Sequence, residues 1–218
     1  MNDKTQPWKT IRIVTILAIV WFALIVPCII IIIIVNYFLN YVLVVPQGSL
    51  FTDLATLSVL GQMVFGIFGG VFLAAVAEMT KRRCLFTAGI FWIIYFGSPL
   101  PLAFLTFILA GLFSTAYASL VVPFCIAAGI GAIASIFMIM DARVVRNWHL
   151  MVFPIIMMAL FVAAMILYIF VLLLPAGAGI VGYSFRTASP CFLLPATIGI
   201  TVVLFKENAR IELELKES

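Results

Sequence analysis

Chemistry at a protein site needs nucleophiles, acid–base pairs or metal ligands at workable spacing, and this chain offers few of them. Its single histidine, His149, follows Trp148 at the start of an apolar run, where an interfacial role fits better than catalysis. There is no HExxH pattern for an intramembrane metalloprotease. One interfacial histidine cannot supply the axial pair of a transmembrane haem. Cys28, Cys84, Cys125 and Cys191 are embedded in or flanked by apolar residues, without CxxC or zinc spacing, and read as small buried hydrophobes. No acidic pair lies deep in an apolar run, so a proton-driven pump has no obvious carrier. The expectation is a protein that is not an enzyme and holds neither metal nor cofactor.

A second set of polar residues points to recognition. Asn36, Asn40, Gln47, Tyr117, Tyr183, Ser184 and Arg186 fall at the ends of apolar runs or between them, with Tyr37, Tyr41, Asp53 and Thr187 nearby. Ligand sites are concave and mostly apolar, with a few placed polar groups and aromatics, which is what these residues would supply if they converge. Arg186 has a guanidinium suited to a carboxylate or a phosphate. Its competing role is that of a solvated loop residue or a partner for Asp53.

The elements that must position these groups follow from composition. Apolar residues make up 66% of the chain and charged ones 9%, against about 25% charged in soluble domains. A soluble domain with this balance would leave large apolar patches in water, so lipid is the solvent that fits. A span takes about 20 apolar residues, which gives room for six spans and little else. No extended basic face or stacking platform for nucleic acid can be built. The expected fold is all-α, a polytopic membrane helix bundle of about six transmembrane spans.

The apolar runs are Ile13 to Val45, Leu54 to Met79, Leu85 to Leu112, Leu120 to Met140, Leu150 to Leu174, and a last one ending at Phe205. The first exceeds a ~30 Å hydrocarbon core, so it must tilt, kink at Pro27 or leave the membrane near Asn36. The third is interrupted by Gly97-Ser98-Pro99-Leu100-Pro101 and reads as one span followed by a turn, or as a hairpin of two half-helices. A Gly/Ser-rich loop is expected from Pro175 to Pro190.

Basic residues favour cytoplasmic loops. Of the twelve, Lys4, Lys9, Arg12, Lys81, Arg82, Arg83, Arg143, Arg146, Lys206, Arg210 and Lys216 fall on one side, and Arg186 alone on the other. Both termini are therefore expected inside, with residues 1–12 an N-terminal cytoplasmic segment, 13–205 the six-span domain and 206–218 a charged cytoplasmic tail. The tyrosines, including Tyr95 and Tyr168, are expected near outer interfaces, where amphipathic rings settle. Glu78 is expected to pair locally with Lys81 and Arg82, and Asp141 with Arg143.

Small residues at four-residue spacing let membrane helices approach closely. Gly66, Gly70 and Ala74 form the most glycine-rich such line, for packing inside the bundle or for docking another membrane subunit. Ala127, Gly131 and Ser135 form another.

Locally the chain resembles the substrate-binding S components of energy-coupling factor (ECF) vitamin transporters. The likeness covers about 45 residues: Gly69-Gly70 followed by Glu78-Met79-Thr80-Lys81-Arg82, then Leu85-Phe86-Thr87-Ala88-Gly89-Ile90 and Thr106-Phe107-Ile108-Leu109-Ala110-Gly111-Leu112. The resemblance implies a subunit in the bacterial inner membrane that binds a small metabolite. It would work with another membrane subunit and with cytoplasmic ATPases, docking through small residues such as the Gly66 line. The long first run departs from that pattern, and no vitamin-specific motif is present. The other expectation open at this point is a structural or assembly subunit of a larger membrane complex.

Overall fold

The structure, a computed structural model, describes residues 6–37, 50–112, 116–146, 148–173 and 179–217. These are all helical apart from short turns, in seven helices: α1 (Gln6–Tyr37), α2 (Leu50–Met79), α3 (Arg83–Gly97), α4 (Pro99–Leu112), α5 (Ala116–Val144), α6 (Trp148–Leu173) and α7 (Gly179–Glu217). Four stretches, Pro7–Val35, Thr56–Met79, Val122–Val144 and Leu150–Phe170, are long and apolar enough to cross a membrane. The bent pair α3 and α4 makes a fifth if it is one span. Large apolar side chains such as Leu57, Phe68, Phe104 and Ile166 face outward, as lipid requires and water would penalise.

Six of the helices close a ring. α1 packs on α2, α2 on α3, α3 on α5, α5 on α6, α6 on α7, and α7 back on α1. α4 stands outside this ring against α5 and touches α3 only near their junction.

The small-residue line of α2 is where α3 comes close. A Cβ on Gly66 would overlap the Phe96 ring, and one on Gly70 would lie 2.7 Å from Ile93 Cγ1. Gly89 of α3 faces Ala74 so closely that a Cβ there would sit 2.9 Å from the Ala74 backbone nitrogen. In the folded chain, Gly66, Gly70 and Ala74 are thus covered by α3, and another subunit would have to displace that helix to reach them. Gly131 of the second line accommodates Phe161, whose Cζ would be 2.6 Å from a Cβ.

The break at Ser98 has a local cause. Pro99 has no N–H to give the Tyr95 carbonyl, which would be its helical partner. The Ser98 hydroxyl fills that acceptor at 2.7 Å, and the chain turns through 51° into α4. Such a bend is far from the full reversal of two antiparallel half-helices.

One further expectation is corrected. From Gly179 the supposed Gly/Ser loop is already helix, and α7 continues through the charged tail to Glu217. Tyr95 and Tyr168 lie near the ends of α3 and α6 and face the bundle: Tyr168 is buried and stacked on Phe124, and Tyr95 packs against the core.

Candidate functional site

Two layers cross the interior of the ring. The first is aromatic. Phe22 of α1 meets Phe96 of α3 at 6.2 Å between ring centres, and Trp92 and Tyr95 of α3 reach Phe161 of α6 at 6.0 and 5.5 Å. Neither pair belongs to neighbouring helices of the ring, so these side chains fill its middle. Trp92 and Phe22 are fully buried. Nine helical steps separate Trp92 from Arg83 at the start of α3, about 14 Å, or half of a ~30 Å apolar core.

One polar atom stands out in this layer. The Trp92 indole N–H is buried with no hydrogen-bond acceptor among the described residues. The buried hydroxyls of the bundle are satisfied within their own helix: Thr15 donates to the Ile11 carbonyl, Ser135 to Gly131 and Thr197 to Leu193, all at 2.8 to 2.9 Å. The other buried side-chain atoms without a partner among the described residues, on Arg12, Arg82, Glu207, Asn208 and Arg210, lie at the charged end. A buried unpaired donor costs about 1–3 kcal/mol, so Trp92 carries a penalty its neighbours avoid.

The second layer is ionic and lies at one end. Arg82, in the turn between α2 and α3, donates from Nε to Asp141 Oδ1 at 3.1 Å and from Nη2 to Asp141 Oδ2. Its Nη1 lies 2.7 Å from Glu207 Oε1 of α7, which also accepts from Arg210 Nη2 at 2.7 Å. All three side chains of the Arg82–Asp141–Glu207 cluster are at most 10% exposed. Burial works against the Arg82 charge, but hydrogen bonding to Asp141 and the Glu207 charge outweigh it, and its pKa is pushed above the ordinary arginine value. Around this cluster Arg12 of α1 meets Glu212 at 3.3 Å, and Lys216 meets the same carboxylate at 3.4 Å.

Local pairing at this end is therefore corrected. Asp141 serves Arg82, 59 positions away, rather than Arg143, and Glu78 is exposed and forms no ion pair among the described residues. Sequence reasoning passed over Glu207 because it lies in a charged tail. The signal was periodicity: Ile200, Val203, Leu204, Glu207 and Ile211 share one face at helical spacing, and all five are buried.

The recognition set read from the sequence falls where little is described. Asn40 and Gln47 lie outside the described residues. Asn36, Tyr117, Tyr183, Ser184 and Arg186 belong to α1, α5 and α7, and their side chains are likewise outside the described part. Trp92, Tyr95 and Phe161, which the structure brings together, were absent from that set because a buried aromatic in an apolar run looks like any other core residue.

No protein-family model, no curated protein and no solved structure matches this chain, so its architecture and its two interior layers carry the functional reading.

Proposed function

We propose that this chain is a membrane-embedded subunit that binds a small metabolite within its helix ring for transport, and that separate subunits energise it. The observation that carries the reading is Trp92: an indole N–H with no acceptor among the described residues, about 14 Å from the start of α3, in an aromatic layer on a bent pair of helices. Transporter sites tend to lie near the bilayer midplane beside discontinuous helices, and a bound carbonyl, ether or ring nitrogen would give this donor its partner. The ionic layer fits the same reading as a closure that can open, since ion pairs exchange partners where packed apolar contacts would have to be broken.

The proposal includes six crossings with both termini inside, in a bacterial inner membrane as the ECF resemblance implies. The ion pairs support the count. They bring residues 12, 82, 141, 207 and 212 to one end, so the chain returns there after α1 and α2, after the α3–α4 pair and α5, and after α6 and α7. The partners would be another membrane subunit and cytoplasmic ATPases, as the ECF resemblance implies.

The test is native mass spectrometry of gently solubilised protein, wild type and Trp92→Phe. A co-purifying metabolite retained by the wild type and lost from the variant supports the reading. A stable assembly with other membrane proteins, carrying neither metabolite nor ATPase, would sink it. That outcome would favour a structural or assembly subunit, a reading to which α4 lends weight. This helix leaves Leu100, Phe104 and Phe107 exposed, Phe107 at 79%.

A further inference from the structure

Helices α2 and α5 end at the same charged face, and each ends in the same unusual way. Among the described residues, Lys81 and Arg146 are the two non-glycine residues with positive φ, 57° and 55°. Both occupy the position just past a helix C-terminus where glycine is the low-strain choice. At Lys81 the hydrogen bonds complete the capping motif: the Lys81 N–H reaches the Glu78 carbonyl at 3.0 Å, and the Arg82 N–H reaches Ala77 at 2.8 Å. Arg146 repeats the inner bond, donating to the Arg143 carbonyl at 3.0 Å. A left-handed conformation is strained for a residue with a Cβ, so a basic side chain kept at both places invites a functional account.

The surrounding charges supply one. Lys81, Arg83, Arg143 and Arg146 are exposed, and none of their side chains makes an ion pair or hydrogen bond among the described residues. Of the nearby carboxylates, Asp141 is taken by Arg82 and Glu207 by Arg82 and Arg210, which leaves Glu78, exposed beside Lys81, as one negative charge against four positive ones. The Arg82–Asp141 pair ties the α2–α3 turn to the end of α5, so the four cations belong to one charged end of the bundle. They lie at the ends of apolar helices, at the height where lipid phosphates would be.

We propose that Lys81, Arg83, Arg143 and Arg146 form a binding platform for the phosphate headgroups of anionic phospholipid. Clusters of basic residues beside a membrane span attract anionic lipid through a field that salt screens. Cations at helix C-termini also complement the helix dipole, and that explanation makes a different prediction for glycine. If the side chains serve only as caps, Lys81→Gly with Arg146→Gly leaves lipid selection unchanged. If they serve lipid, the same double variant relieves strain while losing the headgroups.

The experiment places the full chain in nanodiscs of equal phosphatidylglycerol and phosphatidylcholine, releases it gently, and counts retained lipids by native mass spectrometry. The wild type is expected to retain phosphatidylglycerol about tenfold over phosphatidylcholine, and the excess should shrink as salt rises. Lys81→Gly/Arg146→Gly should lose most of that preference while unfolding at the same temperature or a higher one. Arg83→Gln/Arg143→Gln, which leaves both strained positions intact, should lose a comparable part. Lys81→Arg/Arg146→Lys should keep the preference. Equal retention of the two lipids by the wild type, or full preference in both neutralised pairs, overturns the proposal.

Discussion

Arg82 and Asp141 meet through two parallel contacts, guanidinium to carboxylate, although 59 positions separate them in the chain. The pair fastens the α2–α3 turn to the end of α5, and Glu207 extends it across the ring to α7. Removing one partner strands a buried charge, which typically costs about 3–5 kcal/mol. Arg82→Gln and Asp141→Asn should each lower stability by about that much in denaturant titrations in micelles. The double variant should lose less than the sum of the two.

Glu207 and Glu212 provide a matched contrast on one helix. Glu207 is 2% exposed between two arginines, whereas Glu212 is 39% exposed beside Arg12 and Lys216. Glu207→Gln should destabilise strongly by the argument given for Asp141. Glu212→Gln should cost less than about 1 kcal/mol, as exposed pairs do. Equal effects would mean that α7 does not pack as described.

Because the Arg82 pKa is raised, its contribution is complete below the ordinary arginine value of the unfolded chain and fades only as pH climbs through the higher folded value. The stability gap between wild type and Arg82→Gln should therefore be the same at about pH 7 and about pH 10. A gap that closes by pH 10 would place Arg82 in a different setting.

Trp92→Phe keeps an aromatic ring in the middle of the bundle and removes the unpartnered N–H. Loss of volume and relief of the orphaned donor oppose each other, so stability should change by no more than about 1.5 kcal/mol. Trp92→Ala should cost about 3–5 kcal/mol. A loss on the alanine scale in the phenylalanine variant would indicate that the N–H already has an acceptor.

Gly89→Ala puts a methyl group against the Ala74 backbone, where no flexible side chain can yield. The α2–α3 contact should open, with a loss of about 1–3 kcal/mol read in the same titrations. Gly97→Ala is the control, as its nearest neighbour is an Ile67 side-chain atom 3.7 Å away.

The sequence by itself determined the solvent and the helical class. Long apolar runs with charges confined to their ends must be helices in lipid, because no other open structure satisfies its backbone there. It also marked the break, since Ser98-Pro99 stands inside an apolar run and proline cannot donate to the carbonyl of the residue four positions before it. What it left undecided were the partners. Asp141 has a basic residue two positions on, and only the ring, by carrying the α2–α3 turn to the end of α5, gives it Arg82 instead. Gly66 and Gly70 announced a close contact without naming the helix that makes it. Trp92 looked like filler in an apolar run until the tertiary structure surrounded its N–H with rings. Spacing along one helix reports which residues share a face, whereas what that face meets depends on contacts between residues far apart in the chain.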